Sequence, residues 1–182
     1  MASIYQLKPA FQSLLRPLMK TLVAIGMTAN QVTVLACVLS LGMAAWLCYD
    51  VSNPIAWFCL PVWLFARMAL NAIDGMMARE CNMKSPVGAV LNELGDVIAD
   101  TALFIPFLLI AGINQSLVLL FIIMAIFTEM AGLIAIQIGA SRRYDGPMGK
   151  SDRAFCIGVM ALFIGCEYLR TDVANYVFLA MS

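Results

Sequence analysis

The 182-residue chain has no histidine, and its charged residues make up only 12% of the sequence and sum to zero. The first absence excludes imidazole catalysis and histidine metal ligation, and the second leaves no acidic or basic tail, so no nucleic-acid partner is expected. Six cysteines (Cys37, Cys48, Cys59, Cys81, Cys156 and Cys166) show no C-x-x-C spacing, and most lie inside apolar runs. They read as small buried hydrophobes and not as a disulfide framework or thiolate metal site. The N-terminal segment has a helical stripe in place of a short apolar block, so no cleaved signal is expected. Carboxylates are left as the reactive groups.

What the chain has in abundance is apolar surface: 63% hydrophobic residues and a mean hydropathy of +0.90. A chain this apolar suits an integral membrane protein, and 182 residues are enough for about six transmembrane helices. Because hydrocarbon offers no partner for exposed backbone groups, those spans must be helical. The expected fold is therefore all-α, a polytopic membrane helix bundle forming a single integral membrane domain over 1–182. Residues 4–26 place Leu7, Phe11, Leu14, Leu18, Leu22 and Ile25 on one helical face, with Lys8, Arg16 and Lys20 on the other side. That pattern fits an interfacial amphipathic helix. Apolar spans follow at about 31–49, 55–79, 86–112, 116–140 and 150–168. Ser85-Pro86 supplies an N-cap and first-position pair for the third span, and Asn114-Gln115-Ser116 opens the fourth. The remaining 171–182 reaches only about 18 Å as a helix and reads as a partial sixth span.

If the spans alternate, Lys8, Arg16, Lys20, Arg79, Lys84, Arg142, Arg143, Lys150 and Arg153 fall on one side and Arg170 on the other. The positive-inside rule then puts the N-terminus and the loops at 79–85 and 141–150 in the cytoplasm.

Charge within this apolar sequence is concentrated between Asn71 and Asp100, where it is costly and by default marks a functional site. Asn71, Asp74 and Ala78 share one face of the second span at i, i+3 and i+7. Asn92, Asp96 and Asp100 share a face of the third at four-residue spacing. Antiparallel neighbours joined by the short 80–85 loop would converge these oxygen donors on one polar pocket. Hard oxygen donors suit Mg²⁺, Mn²⁺ or Ca²⁺, and paired ions would clamp a phosphoryl group. Gly75 permits close backbone approach, Ala78 keeps the wall thin, and Arg79 suits a phosphate oxygen. Arg67, one turn before Asn71, and Glu129, deep in the fourth span, read as a buried pair in preference to substrate-binding groups.

The stretch N-A-I-D-G-M-M-A-R-x8-G-A-V-L-N-E-L-G-D resembles the signature of the CDP-alcohol phosphotransferase (CDP-alcohol phosphatidyltransferase) family, D-x2-D-G-x2-A-R-x8-G-x3-D-x3-D. Asp74, Gly75, Ala78, Arg79, Gly88 and Asp96 stand at family positions, while Asn71 and Asn92 replace its first and third Asp. T-A-N-Q-V-T at 28–33 is similar to the opening of the family's first membrane helix, and G-K-S-D-R-A at 149–154 resembles the element opening its fifth.

The resemblance implies a homodimeric enzyme in a bacterial inner membrane, with a cytoplasm-facing cavity. There a CDP-linked donor, usually CDP-diacylglycerol, passes its substituted phosphate to an alcohol and CMP leaves. It implies two divalent ions per protomer, Mg²⁺ or Mn²⁺, held by Asp74 and Asp96 with Asp96 also the base. Gly75, Ala78, Arg79, Gly88, Lys150 and Thr33 would serve the nucleotide. Asn71 and Asn92 keep ligating carbonyl oxygens but each removes a charge. Glu93 and Asp100 are then candidate ligands, and Arg142, Arg143 and Arg153 candidates for an anionic acceptor. Two other readings remain: a homologue that binds nucleotide without turnover, and a small ion transporter.

Overall fold

A computed structural model describes residues 4–139 and 149–182. Among the described residues the structure is all-α, without strands: α1 (Ile4–Ala24), α2 (Ala29–Tyr49), α3 (Pro54–Glu80), α4 (Pro86–Phe104), α5 (Gln115–Gln137), α6 (Lys150–Gly165) and α7 (Thr171–Met181). The chain is a polytopic membrane helix bundle. Three helices are long and apolar enough to cross a membrane by length and composition: α2, α3 and the Gln115–Ala135 part of α5. That is fewer than the five full spans expected, because α4 carries Glu93, Asp96 and Asp100 and α6 has only 16 residues. The third span also ends sooner than residue 112 as an α-helix. Ile105–Leu109 tightens into a 3-10 turn at Pro106, which lacks the N–H needed to continue the α-helical ladder.

The residues group into two compact units, 1–39 with 65–98, and 40–64 with 99–182. In the first, Met19 of α1, Ala29 and Val32 of α2, and Ile73, Met76 and Met77 of α3 bury one apolar cluster. Arg16 adds an exposed ion pair with Glu80 at 2.8 Å. The chain leaves α1 through Gly26 at φ +84°, with Met27 N–H donating to Leu22 O and Gly26 N–H to Val23 O. This left-handed exit is one that glycine adopts without a Cβ penalty. It then enters α2 through a reciprocal cap: Thr28 N–H donates to Gln31 Oε1 (2.8 Å) and Gln31 N–H to Thr28 Oγ1 (3.3 Å). Two local motifs thus fix where the first turn of α2, with Asn30, begins. At α4, Ser85 Oγ accepts from Gly88 N–H at 2.9 Å, the cap expected from Ser85-Pro86.

The second unit is built on aromatic packing. Trp57 lies 5.0 Å from Phe107, Phe107 lies 5.7 Å from Phe178, and Phe121 lies 5.6 Å from Phe178, centroid to centroid. The 11-residue α7 holds its place by burying Ala174, Phe178 and Met181. Asn175 stitches it to the loop before α5, accepting from Asn114 N–H (2.7 Å) and donating to Gly112 O (3.2 Å). The cysteines are all unbridged, but none is fully buried as expected: five are partly buried and Cys166 is exposed.

Candidate functional site

The start of α2, the last turns of α3, the α3–α4 loop and the start of α4 line an open cavity of about 620 Å³ within the first unit. Its size falls in the range of small-ligand sites. From α2 it is lined by Ala29, Asn30 and Thr33, and from α3 by Asn71, Asp74, Gly75, Ala78 and Arg79. The loop and α4 add Met83, Lys84, Ser85, Pro86, Gly88, Ala89, Asn92 and Glu93. The i, i+3, i+7 spacing of Asn71, Asp74 and Ala78 is what turns all three toward one side of α3.

Asp74 is 5% exposed, and Thr33 Oγ1 lies 2.6 Å from its Oδ2 and 3.1 Å from Ala29 O. A hydroxyl has one proton, and the shorter contact to an ionised acceptor takes it. Thr33 thereby orients a carboxylate that periodicity alone left unconstrained. Arg79 folds back over Gly75: a Cβ built there would sit 3.2 Å from Nη1 and 3.5 Å from Nη2. A methyl there would crowd the guanidinium, which would have to give way by a few tenths of an ångström. Gly88 serves a similar purpose, since a Cβ on it would overlap Asn30 Oδ1 and approach Ser85 Oγ to 2.9 Å.

Asp96 takes a different place from the one expected. It is not among the residues lining the cavity; its Oδ1 accepts from Asn71 Nδ2 at 2.8 Å and from Arg67 Nη2 at 3.0 Å. Arg67 Nη2 also reaches the Asp96 carbonyl oxygen at 3.2 Å. Asp96 is thus bonded not only by Asn71 but by an arginine that belongs to no motif, and periodicity along α3 carries no signal for it. Glu129 likewise accepts from Arg153 Nη2 at 2.7 Å, with Arg153 Nη1 donating to Thr128 Oγ1 at 2.9 Å.

The structure therefore gathers Thr33, Asn71, Asp74, Gly75, Ala78, Arg79, Gly88, Asn92 and Glu93 around one cavity. Asp100, Lys150 and the buried Arg153 belong to the second unit. Arg142 and Arg143 lie outside the described residues. Sequence reasoning passed over Asn30, whose signal was its place inside T-A-N-Q-V-T, and over Lys84, read only as a topology charge. Among the described residues no three acidic or thiol side chains gather closely enough to hold a metal by themselves. Two carboxylates, Asp74 and Glu93, do line the cavity together with the amides of Asn71 and Asn92. This all-oxygen set fits a hard divalent cation only if the amides contribute.

Gly88→Ala tests the fit of this wall. Its methyl must shift both Asn30 Oδ1 and Ser85 Oγ, so the disturbed cap of α4 should lower stability by about 1 kcal/mol. Thermal unfolding reads the change, and an unaltered unfolding temperature would show that both side chains yield freely.

The sequence model of the CDP-alcohol phosphatidyltransferase family matches residues 26–181. The chain is 50% identical over 162 residues to the inner membrane protein YnbA of Escherichia coli K12, covering 89% of this chain and 80% of that protein. It is 28% identical over 163 residues to a phosphatidylinositol phosphate synthase of Mycobacteroides abscessus, covering 87% of this chain and 72% of that one.

Proposed function

Since the chain belongs to the CDP-alcohol phosphatidyltransferase family, we propose that its cavity binds a CDP-linked donor, most simply CDP-diacylglycerol, and transfers the substituted phosphate to an alcohol with release of CMP. The observation that carries this reading is the convergence of Asp74, Arg79, Gly75 and Gly88 with Asn71, Asn92 and Glu93 on one cavity. Acidic and amide oxygens meet a guanidinium there, as a charged diphosphate ester requires.

In the transfer, the acceptor oxygen forms a bond to the donor's lipid-side phosphorus as the bond from that phosphorus to the CMP oxygen breaks. CMP leaves with the bonding pair. The acceptor's hydroxyl proton passes to a carboxylate, assigned by position in the signature to Asp96, which Arg67 and Asn71 hold in place. Arg79 binds a phosphate oxygen, and the glycine at 75 lets it lie flat against α3. A divalent cation, Mg²⁺ or Mn²⁺, held by Asp74 and Glu93 with the amide oxygens of Asn71 and Asn92, would neutralise charge on the diphosphate when bound. Phosphoryl-type transfer asks mainly for such neutralisation and alignment, so a chain with no histidine suffices. The same reading places the protein in a bacterial inner membrane as a homodimer, with the N-terminus and cavity facing the cytoplasm.

The deciding experiment uses purified protein in bilayers with CDP-diacylglycerol, Mg²⁺ or Mn²⁺, and a panel of alcohols including glycerol phosphate, serine, inositol, inositol phosphate and phosphatidylglycerol. Metal-dependent CMP release with one of them is expected. If no acceptor elicits CMP while CDP-diacylglycerol still binds, the protein is a nucleotide-binding homologue without turnover. Cation flux in liposomes without CMP would favour a transporter.

A further inference from the structure

Arg67 is 4% exposed on α3 and lies outside every position of the family signature. One turn separates it from Asn71. Its Nη2 donates to both the carbonyl oxygen and Oδ1 of Asp96 on α4, at 3.2 and 3.0 Å, and Asn71 Nδ2 donates to the same Oδ1 at 2.8 Å. We infer that Arg67 is a positioning residue of the site: it fixes Asp96, and through Asp96 it fixes which end of the Asn71 amide the cavity receives.

The chemistry follows from the donor inventory. The two ends of an asparagine amide have nearly the same size, so its orientation is set by its neighbours. An ionised carboxylate is an acceptor only, so the end facing Asp96 is the NH₂ and the opposite end is the carbonyl oxygen. Asn71 lines the cavity. An amide fixed this way presents oxygen where a cation needs a ligand, and an amide turned over presents N–H, which repels one. Arg67 holds the carboxylate by side chain and main chain together, which keeps α3 and α4 in the register that brings Asp96 to Asn71. Supporting groups behind a metal ligand commonly change affinity by about 10–100-fold when removed.

This inference rests on the cation-assisted reading of the cavity, and its test is independent of turnover. Mn²⁺ binding to the purified protein, without donor or acceptor, is measured by electron paramagnetic resonance for the parent, Arg67→Met, Asn71→Ala and the double variant. Each single substitution is expected to weaken Mn²⁺ about tenfold, and the double variant no further than the weaker single, because both act through one amide. Additive losses of about a hundredfold, Arg67→Met within twofold of the parent, or a parent that binds no Mn²⁺ each overturn it. Should Arg67→Met not give a helical, monodisperse protein, Arg67→Lys, with its charge on a shorter stem, takes its place in the same cycle. A parent that binds Mn²⁺ and obeys the cycle but releases no CMP leaves the inference standing and removes the transferase reading instead.

Discussion

Asp74→Asn is expected to lower CMP release by about 10³-fold with little change in thermal stability, a loss equivalent to about 4 kcal/mol of transition-state stabilisation. The substitution keeps the shape of the side chain and leaves Thr33, 2.6 Å away, an amide oxygen to which it can still donate. What it removes is one of two carboxylates on the cavity wall. With asparagine already at 71 and 92, the loss leaves Glu93 as the acidic lining residue. Neutralisation of a diphosphate by a bound cation cannot easily survive that, because each lost anionic ligand weakens hold on the ion against its hydration. Steady-state CMP release and the unfolding temperature, measured on the same preparation, check the prediction. Activity within tenfold of the parent would remove Asp74 from the reaction.

Arg79→Ala is expected to cost about 10²-fold in kcat/KM for the CDP-linked donor, the scale seen when one charge-stabilising donor is taken from an active site. The guanidinium lies within 3.2–3.7 Å of where a Gly75 Cβ would be, so it is already folded along α3 beside the cavity. Arg79→Lys should recover only part of the loss, since an ammonium keeps the charge without the planar fork that grips two oxygens. Gly75→Ala should move activity in the same direction by a smaller factor, because the added methyl displaces the guanidinium and does not delete it. The donor dependence of CMP release separates these cases. Arg79→Lys equal to the parent would mean that charge alone is read, and Arg79→Ala equal to the parent would place the phosphate elsewhere.

Asn71, Asp74 and Ala78 were legible from spacing, because a helix repeats every 3.6 residues and the sequence by itself decides which side chains share a face. Thr33 was expected at the nucleotide from the T-A-N-Q-V-T element, yet its bond to Asp74 was not expected. That bond spans 41 residues of chain, and no local periodicity reports it.

The sequence alone determined that the chain is helical and membrane-bound, and which faces of α3 and α4 carry oxygen donors. Those properties depend on apolar content, caps and turns set within a few residues of one another. Tertiary structure decided what each charge meets. Asp96 shares its face of α4 with Asn92, as the spacing required, but which groups bond it was settled by the approach of Arg67 and Asn71 from α3. Likewise Asn30 and Gly88 became neighbours only when α2 was brought beside α4. Burying an ion in a membrane protein requires a partner at hydrogen-bonding distance, and a linear sequence holds the candidates without ranking them. The packing of helices chooses among them, as where it brings Arg67 Nη2 to 3.0 Å from Asp96 Oδ1.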